Sequence, residues 1–424
     1  MKYQLLILGN GFDLQCGLAS SYIDFFRQEI LDLEAEKSGT IKTRRDVVGF
    51  WEELLLEHYK NYGRTDYKWC DIESIIKETL WLVFYRENAP STNITQDIGK
   101  IALSYDKDNH IPNGIKVDLN NSVILFLFRY CLNFFKRLSL KEAKCSDQEK
   151  LHKLLDRLLF ELKNFERRFC KYIKGNIVNP NGKEEWNETY LVNAVNLLAK
   201  LTGFSNKSYK NIENFVGQEK RKFERRVNEH QKETIWRMVN VLSQEFAELR
   251  NTHILSFNYT ALFDFLSVES PCLYSNVHGK LCNLYCSEGC DSSSIIFGID
   301  DTIIQSQSEY NDLRVFSKTY RKMFDTSSPS SVLPSNNVQV DIKFYGHSLS
   351  EADYSYFQSI FDYYNLYGNN NVGLVFYYSE GYEQTDEIYR LINAYGKTLA
   401  NQEQGKNLMH KLLLENRIKI VKIS

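Results

Sequence analysis

Apolar residues in this chain follow two periods in turn. Tyr3-Gln-Leu-Leu-Ile-Leu8 is a short, almost unbroken apolar run, the pattern of a strand covered on both faces of a sheet, and Gly9-Asn-Gly-Phe-Asp13 follows it directly. A helix is predicted next, over residues 20–36. From 47 to 250 the strand pattern is lost. Apolar residues recur there at helical spacing in blocks over 48–62, 72–85, 122–138, 148–173, 190–201 and 212–250. Polar or glycine-containing breaks at 61–65, 88–97, 176–183 and 203–208 separate the blocks, with no fixed repeat among them.

Strand-like runs return at 253–256, 273–277, 294–297, 338–345, 372–378 and 417–423, with helical segments such as 353–364 and 387–395 between them. Short apolar runs alternating with helices predict a mostly parallel sheet with both faces covered. The first strand has no strand neighbours nearby and is expected to join this later sheet. The chain therefore reads as an α/β protein with a mostly parallel, Rossmann-like sheet interrupted by a large all-helical insertion. The expected division is 1–45 for the first strand and helix, 46–250 for the insertion and 251–424 for the rest of the sheet domain.

Composition narrows the class without choosing a function. The 424 residues are 43% hydrophobic and 25% charged, an ordinary balance for a soluble protein with core enough for two domains. A net charge of −2 offers no basic surplus for bulk nucleic-acid binding. Lys220-Arg-Lys-Phe-Glu-Arg-Arg226 is basic, but its glutamate-rich surroundings fit a solvated helix face. No basic leader precedes a long apolar core, and the most apolar window, 123–135, is too short for a bilayer and contains Arg129 and Asn133. Nine scattered cysteines fit reduced thiols. These features predict a cytoplasmic protein with no membrane partner.

Candidate chemistry gathers where predicted strands end, the edge at which open α/β sheets hold ligands. Gly9-Asn-Gly-Phe-Asp13, Ser256-Phe-Asn-Tyr-Thr260, Val277-His-Gly279, Gly346-His-Ser-Leu-Ser-Glu-Ala-Asp353 and Phe297-Gly-Ile-Asp-Asp301 all occupy such positions. Together they would form a crevice of glycine backbone, Asn, His, Ser and Asp, suited to a ribose-bearing ligand. Glycine allows backbone to approach a phosphate, and a following helix N-terminus favours an anion.

These motifs, in this order, resemble the bacteriophage abortive infection family AbiH, as does Trp69-x-Asp71-x-Glu73 in the insertion. The likeness covers the whole chain and implies a role in defence against phage. More distantly the order is similar to sirtuin-like NAD-binding domains of bacterial defence proteins. Asn10, Asp13 and Thr260 stand where those domains have Ala, Ser and Asp.

The sirtuin-like resemblance implies that Asn258 and His278 attack NAD at the nicotinamide ribose. It also implies that Gly9, Asn10, Gly11, Phe12, Asp13, Ser256, Gly346, His347, Ser348 and Asp353 line the nucleotide crevice. The expected activity is hydrolysis of NAD to nicotinamide and ADP-ribose, with NAD as substrate and no cofactor required. Breaking the glycosidic bond develops positive charge on the sugar, so the protein must hold the ribose and move a proton. A histidine titrating near neutrality suits the proton transfer. By resemblance, a homo-oligomer and a phage-derived or host protein trigger are expected. A non-catalytic nucleotide-binding effector and a nuclease using the same crevice are the alternatives.

Each residue also has a plainer explanation. Gly9 and Gly11 would suit any tight strand-to-helix turn. Asn258 and Asp13 would serve as helix caps, His278 as a buried histidine and His347 as a residue shaping its loop. Asp300 and Asp301 would mark a turn, and Trp69, Asp71 and Glu73 would cap and pack a helix. His278, Cys282, Cys286 and Cys290 invite a zinc reading, but their spacing of four lacks the close cysteine pairs of a zinc knuckle. No metal site is expected.

Overall fold

Six parallel strands make one sheet: β1 (Lys2–Leu8), β2 (Thr252–Ser256), β3 (Leu273–Asn276), β4 (Gln339–Tyr345), β5 (Val372–Tyr378) and β6 (Ile418–Lys422), in the order β3-β2-β1-β4-β5-β6. The computed structural model describes residues 2–44, 49–62, 72–84, 97–108, 120–141, 145–178, 187–203, 251–260, 273–281, 295–300, 311–323, 331–350 and 353–423. As expected, β1 joins strands more than two hundred residues away, pairing with β2 on one side and β4 on the other. Paired on both edges, β1 is a central strand, and Leu5, Leu6 and Ile7, pointing to alternate faces of the sheet, are wholly buried.

The chain divides into two compact units. The sheet unit comprises Met1–Ser20, Ile173–Ile295 and Asp325–Ser424. The other, helical unit comprises Ser21–Tyr172 and Ile296–Phe324. Described helices are α1 (Gly11–Gln15), α2 (Tyr22–Phe25), α3 (Leu33–Lys37), α4 (Phe50–Tyr62), α5 (Ile72–Phe84), α6 (Ile98–Asp108), α7 (Ser122–Lys141), α8 (Asp147–Val178) and α9 (Glu188–Thr202) in the first half. Later come α10 (Lys318–Lys322), α11 (Tyr354–Tyr363), α12 (Thr385–Thr398), α13 (Gln402–Lys406) and α14 (Leu408–Leu414). The predicted block 212–250 lies outside the described residues.

Within the sheet unit, α11 and α12 cover one face. Phe357, Ile360 and Phe361 of α11 and Ile388, Leu391 and Ile392 of α12 join the core formed by Leu5, Ile7, Val340, Ile342, Phe344 and Leu374. Helix α9, predicted as part of the insertion, belongs to this unit. Asn187 caps it by accepting from the Tyr190 N–H at 3.0 Å, and Gly203 ends it at φ +73. Its last turn is tied to the sheet. Lys343 donates to the Leu201 carbonyl at 2.7 Å and Gln4 to the Thr202 carbonyl at 3.1 Å.

The helical unit is built on α8, where Leu154, Leu158, Leu162, Phe165 and Phe169 repeat every three or four residues and are buried. Two expectations fail here. Instead of one helix over 20–36, the chain forms α2, a single π-helical turn at Phe26–Ile30 and, after an extended Leu31, α3. Separate caps at Ser21 and Asp32 mark the break. The run 294–297 is not a sheet strand over its described residues. Phe297 gives its N–H to Glu166 at 2.8 Å and its carbonyl to Arg321 at 2.9 Å, so side chains occupy the groups a ladder would use. Ile299 makes only an isolated bridge to Ser317. Helix α6 falls in none of the expected helical blocks, although its cap at Asp97 and buried Ile98, Ile101 and Ala102 carry the signal.

Candidate functional site

The strand ends are level. Leu8 pairs with Ser256 and Tyr345, and Ser256 pairs with Asn276, so of the five motifs one begins on this single row, at Ser256, and three begin one step beyond it, at Gly9, Val277 and Gly346. The sheet order reverses between β1 and β4, the position at which such sheets bind ligands. The fifth motif lies elsewhere, because 296–324 belongs to the helical unit. Asp300 is buried there, and Asp301 lies outside the described residues.

Glycines bring the turns after β1 and β4 into backbone contact. Gly9 donates to the Tyr345 carbonyl at 3.0 Å, and Gly11 to that of Gly346 at 2.8 Å. A Cβ on Gly9 would fall 2.3 Å from the His347 Cα, and one on Gly346, at φ +69, 2.4 Å from the Phe12 nitrogen. The small residues are thus accounted for by this approach of turn on turn. Phe12 is buried with its ring edge-on to Tyr345, while Asn10 is exposed and accepts from the Ser20 hydroxyl at 2.6 Å. Ser348 is exposed and Gly346 half-buried.

Asp13 is enclosed. Its Oδ1 accepts from the Tyr190 hydroxyl and its Oδ2 from the Thr260 hydroxyl, each at 2.7 Å. Burial raises the carboxyl from 3.8 to about 6, and the hydrogen bonds from Thr260 and Tyr190 oppose that rise. With both oxygens taken by hydroxyls, Asp13 acts as a brace between the β1 turn, the β2 turn and α9, in place of the ribose contact expected of it. Tyr190 carried no sequence signal beyond its position in an amphipathic block.

Ser256 and Asn258 stabilise the β2 turn. The Ser256 hydroxyl accepts from the Asn258 N–H at 3.2 Å, and Asn276 donates its amide to the carbonyls of Asn258 (2.7 Å) and Thr260 (3.0 Å). Asn258 lines a small cavity with Leu8, Tyr190, Leu198 and Thr260, on the face covered by α9. Its buried Oδ1 has no hydrogen-bond partner among the described residues.

His278 lies on the other face. Its ring packs edge-on against Phe257 and Tyr356, with centroids 5.4 and 5.7 Å away. Its Nε2 is 2.9 Å from Asp353 Oδ1, and His347 Nε2 is 3.3 Å from Oδ2 of the same carboxylate. The structure therefore brings together His278, His347 and Asp353, each less than one-tenth exposed. It turns Asn258 and His278 toward opposite faces, since Ser256 and Asn258 alternate with Leu255 and Phe257 along the strand. The expected meeting of these two side chains on one sugar ring is not made.

Cys282, Cys286 and Cys290 lie outside the described residues. Among the described ones, no group of three or more His, Cys, Asp or Glu side chains is arranged to hold a metal ion. Cys16, Cys131, Cys145 and Cys170 are free thiols. Glu73 of the insertion pairs with Lys318 at 2.6 Å, a structural contact, whereas Trp69 and Asp71 fall outside the described residues. No helix among the described residues is long and apolar enough to cross a membrane.

A doubly wound parallel sheet carrying a buried imidazole–carboxylate cluster at its switch-point edge defines a Rossmann-like α/β protein. The family model of bacteriophage abortive infection AbiH matches residues 5–378, and the chain belongs to that family, whose role is in phage abortive infection. No match was found among curated proteins or solved structures.

Proposed function

We propose that this abortive infection protein hydrolyses NAD, or a closely related nucleotide, to nicotinamide and ADP-ribose, depleting the infected cell. The observation that carries the reading is the pairing of His278 with Asp353 at 2.9 Å, beside the switch point of the sheet. In the proposed step the carbon–nitrogen bond between ribose and nicotinamide breaks with its electron pair going to nicotinamide. A water oxygen bonds to the same carbon and His278 takes the water's proton. Asp353 holds the imidazole and offsets the charge it gains. Asn258 enters as the residue that shapes the β2 turn through its backbone carbonyl. No metal or further cofactor is needed. Assembly as a homo-oligomer and release by a phage-derived or host trigger, in the cytoplasm, complete the proposal by family resemblance.

Incubating purified protein with NAD and measuring nicotinamide tests the reading. Release by wild type and its loss in His278→Ala support it; full release or toxicity in that variant overturns the assignment. A second reading, nucleotide binding without cleavage, is favoured by the burial of His278 and Asp353. NAD bound but returned intact would support it, and degraded RNA or DNA with NAD untouched would favour a nuclease.

A further inference from the structure

We infer that His347 is a positioning residue that sets the tautomer of His278 through Asp353, making Nδ1 of His278 the atom that accepts a proton. The inference rests on the proposed acid–base role of His278 but is tested separately from it.

The Leu349 N–H donates to Nδ1 of His347 at 2.9 Å. A ring nitrogen that accepts a hydrogen bond carries no proton, so the proton of the neutral ring sits on Nε2. That protonated atom lies 3.3 Å from Asp353 Oδ2, within ion-pair distance. The other oxygen, Oδ1, lies 2.9 Å from Nε2 of His278. An ionised carboxylate only accepts, so His278 also presents a protonated Nε2, and its lone pair is on Nδ1. In this structure the 2.9 Å contact is off hydrogen-bond alignment, so the assigned tautomer requires the His278 ring to turn into line with Asp353.

Packing holds the row in place. Phe257 packs edge-on against both imidazoles, with centroids 4.5 Å from His347 and 5.4 Å from His278. Gln384 donates to the His347 carbonyl at 2.8 Å. Leu349 has φ +54, a conformation that a residue with a side chain adopts only when its surroundings impose it, and its side chain is buried. The strained residue is the one whose N–H selects the tautomer of His347. The cost of that backbone shape is thus spent where the proton position is decided. His347 is buried, with Nδ1 bonded to the backbone and Nε2 turned toward Asp353, which fits a positioning role better than the crevice lining expected from sequence.

The test uses the full chain labelled with 15N histidine and long-range proton–nitrogen spectra recorded above pH 8. In wild type, His278 is expected to show a protonated Nε2 and an unprotonated Nδ1. His347→Ala should turn this into a mixture of tautomers. His347→Gln should restore it, because the Gln carbonyl can accept from Leu349 and its amide can donate to Asp353. A His278 protonated on Nδ1 in wild type, or an unchanged spectrum in His347→Ala, overturns the inference. The wild-type spectrum tests the His278 tautomer even if a variant fails to fold, and an Nδ1-protonated His278 overturns the inference without any variant. Where nicotinamide release is observed, His347→Ala should lower kcat about tenfold to a hundredfold with KM unchanged, as partners that orient a functional histidine typically do. An undiminished kcat overturns the inference. If wild type releases no nicotinamide, the proposed activity fails, and the spectra still test the tautomer.

Discussion

Asp13→Asn should make the protein less sensitive to pH. The Asp13 carboxyl is fully buried, and burial holds its folded value at about 6 against 3.8 for an open carboxyl. At about 1.4 kcal/mol per tenfold change in proton affinity, that difference amounts to roughly 3 kcal/mol. The folded chain keeps the Asp13 proton between about pH 4 and pH 6 while the unfolded chain loses it. This group's contribution therefore lowers stability as pH rises across the window and becomes constant above it. Asparagine has no proton to lose and keeps two polar ends of the same shape. Tyr190 can donate to its oxygen while Thr260 accepts from its amide, or the reverse. Urea unfolding at pH 4.5, 6 and 7.5 should show the stability of Asp13→Asn relative to wild type improving by about 2 kcal/mol between the lowest and highest pH, the rest of the effect lying below pH 4.5. Asp13→Ala is the contrast: it orphans two buried hydroxyls, at about 1–3 kcal/mol each. If wild type and Asp13→Asn lose stability in parallel as pH rises, the carboxylate is not ionising in this enclosure and the brace has been misread.

Three other perturbations probe the packing that positions the site. Gly9→Ala places a methyl 2.3 Å from the His347 backbone and should cost about 3 kcal/mol or more in thermal or chemical unfolding. Gly17→Ala, with open space around it but φ +88, should cost only about 1–2 kcal/mol, so equal losses would refute the turn-on-turn account. Glu166→Ala leaves Arg321 without its bidentate partner, bonded at 2.6 and 2.7 Å, and should destabilise the helical unit by about 3–5 kcal/mol; early protease cleavage within 21–172 would report it. Lys343→Met removes the cation that caps the Leu201 carbonyl; a drop of about 1–2 kcal/mol is expected, and no drop would separate α9 from the sheet's stability.

Much of the architecture was legible because period and punctuation are local properties. The apolar runs at β1, β4 and β5 could be read directly, as could the helical blocks of α4, α5, α7 and α8. Caps and breaks were read less well: α6 was overlooked, and the expected helix over 20–36 is interrupted at Leu31. Residues 295–297 have the composition of a strand, yet Glu166 and Arg321, more than twenty residues away on either side, take the backbone groups a strand would need. Composition cannot register such a competitor.

The chain alone determined that this is an α/β protein whose first strand must find distant partners, and it marked the segments that end level at one sheet edge. Hydrophobic periodicity and glycine placement act over a few residues and survive in the sequence. Only the tertiary structure decided what those segments do to one another. It placed Asn258 and His278 on opposite faces, used Asp13 as a brace under Tyr190 and Thr260, and aligned His347, Asp353 and His278 in one row. Those outcomes depend on which face each side chain takes after its strand ends, and on residues far away along the chain, neither of which a local pattern records.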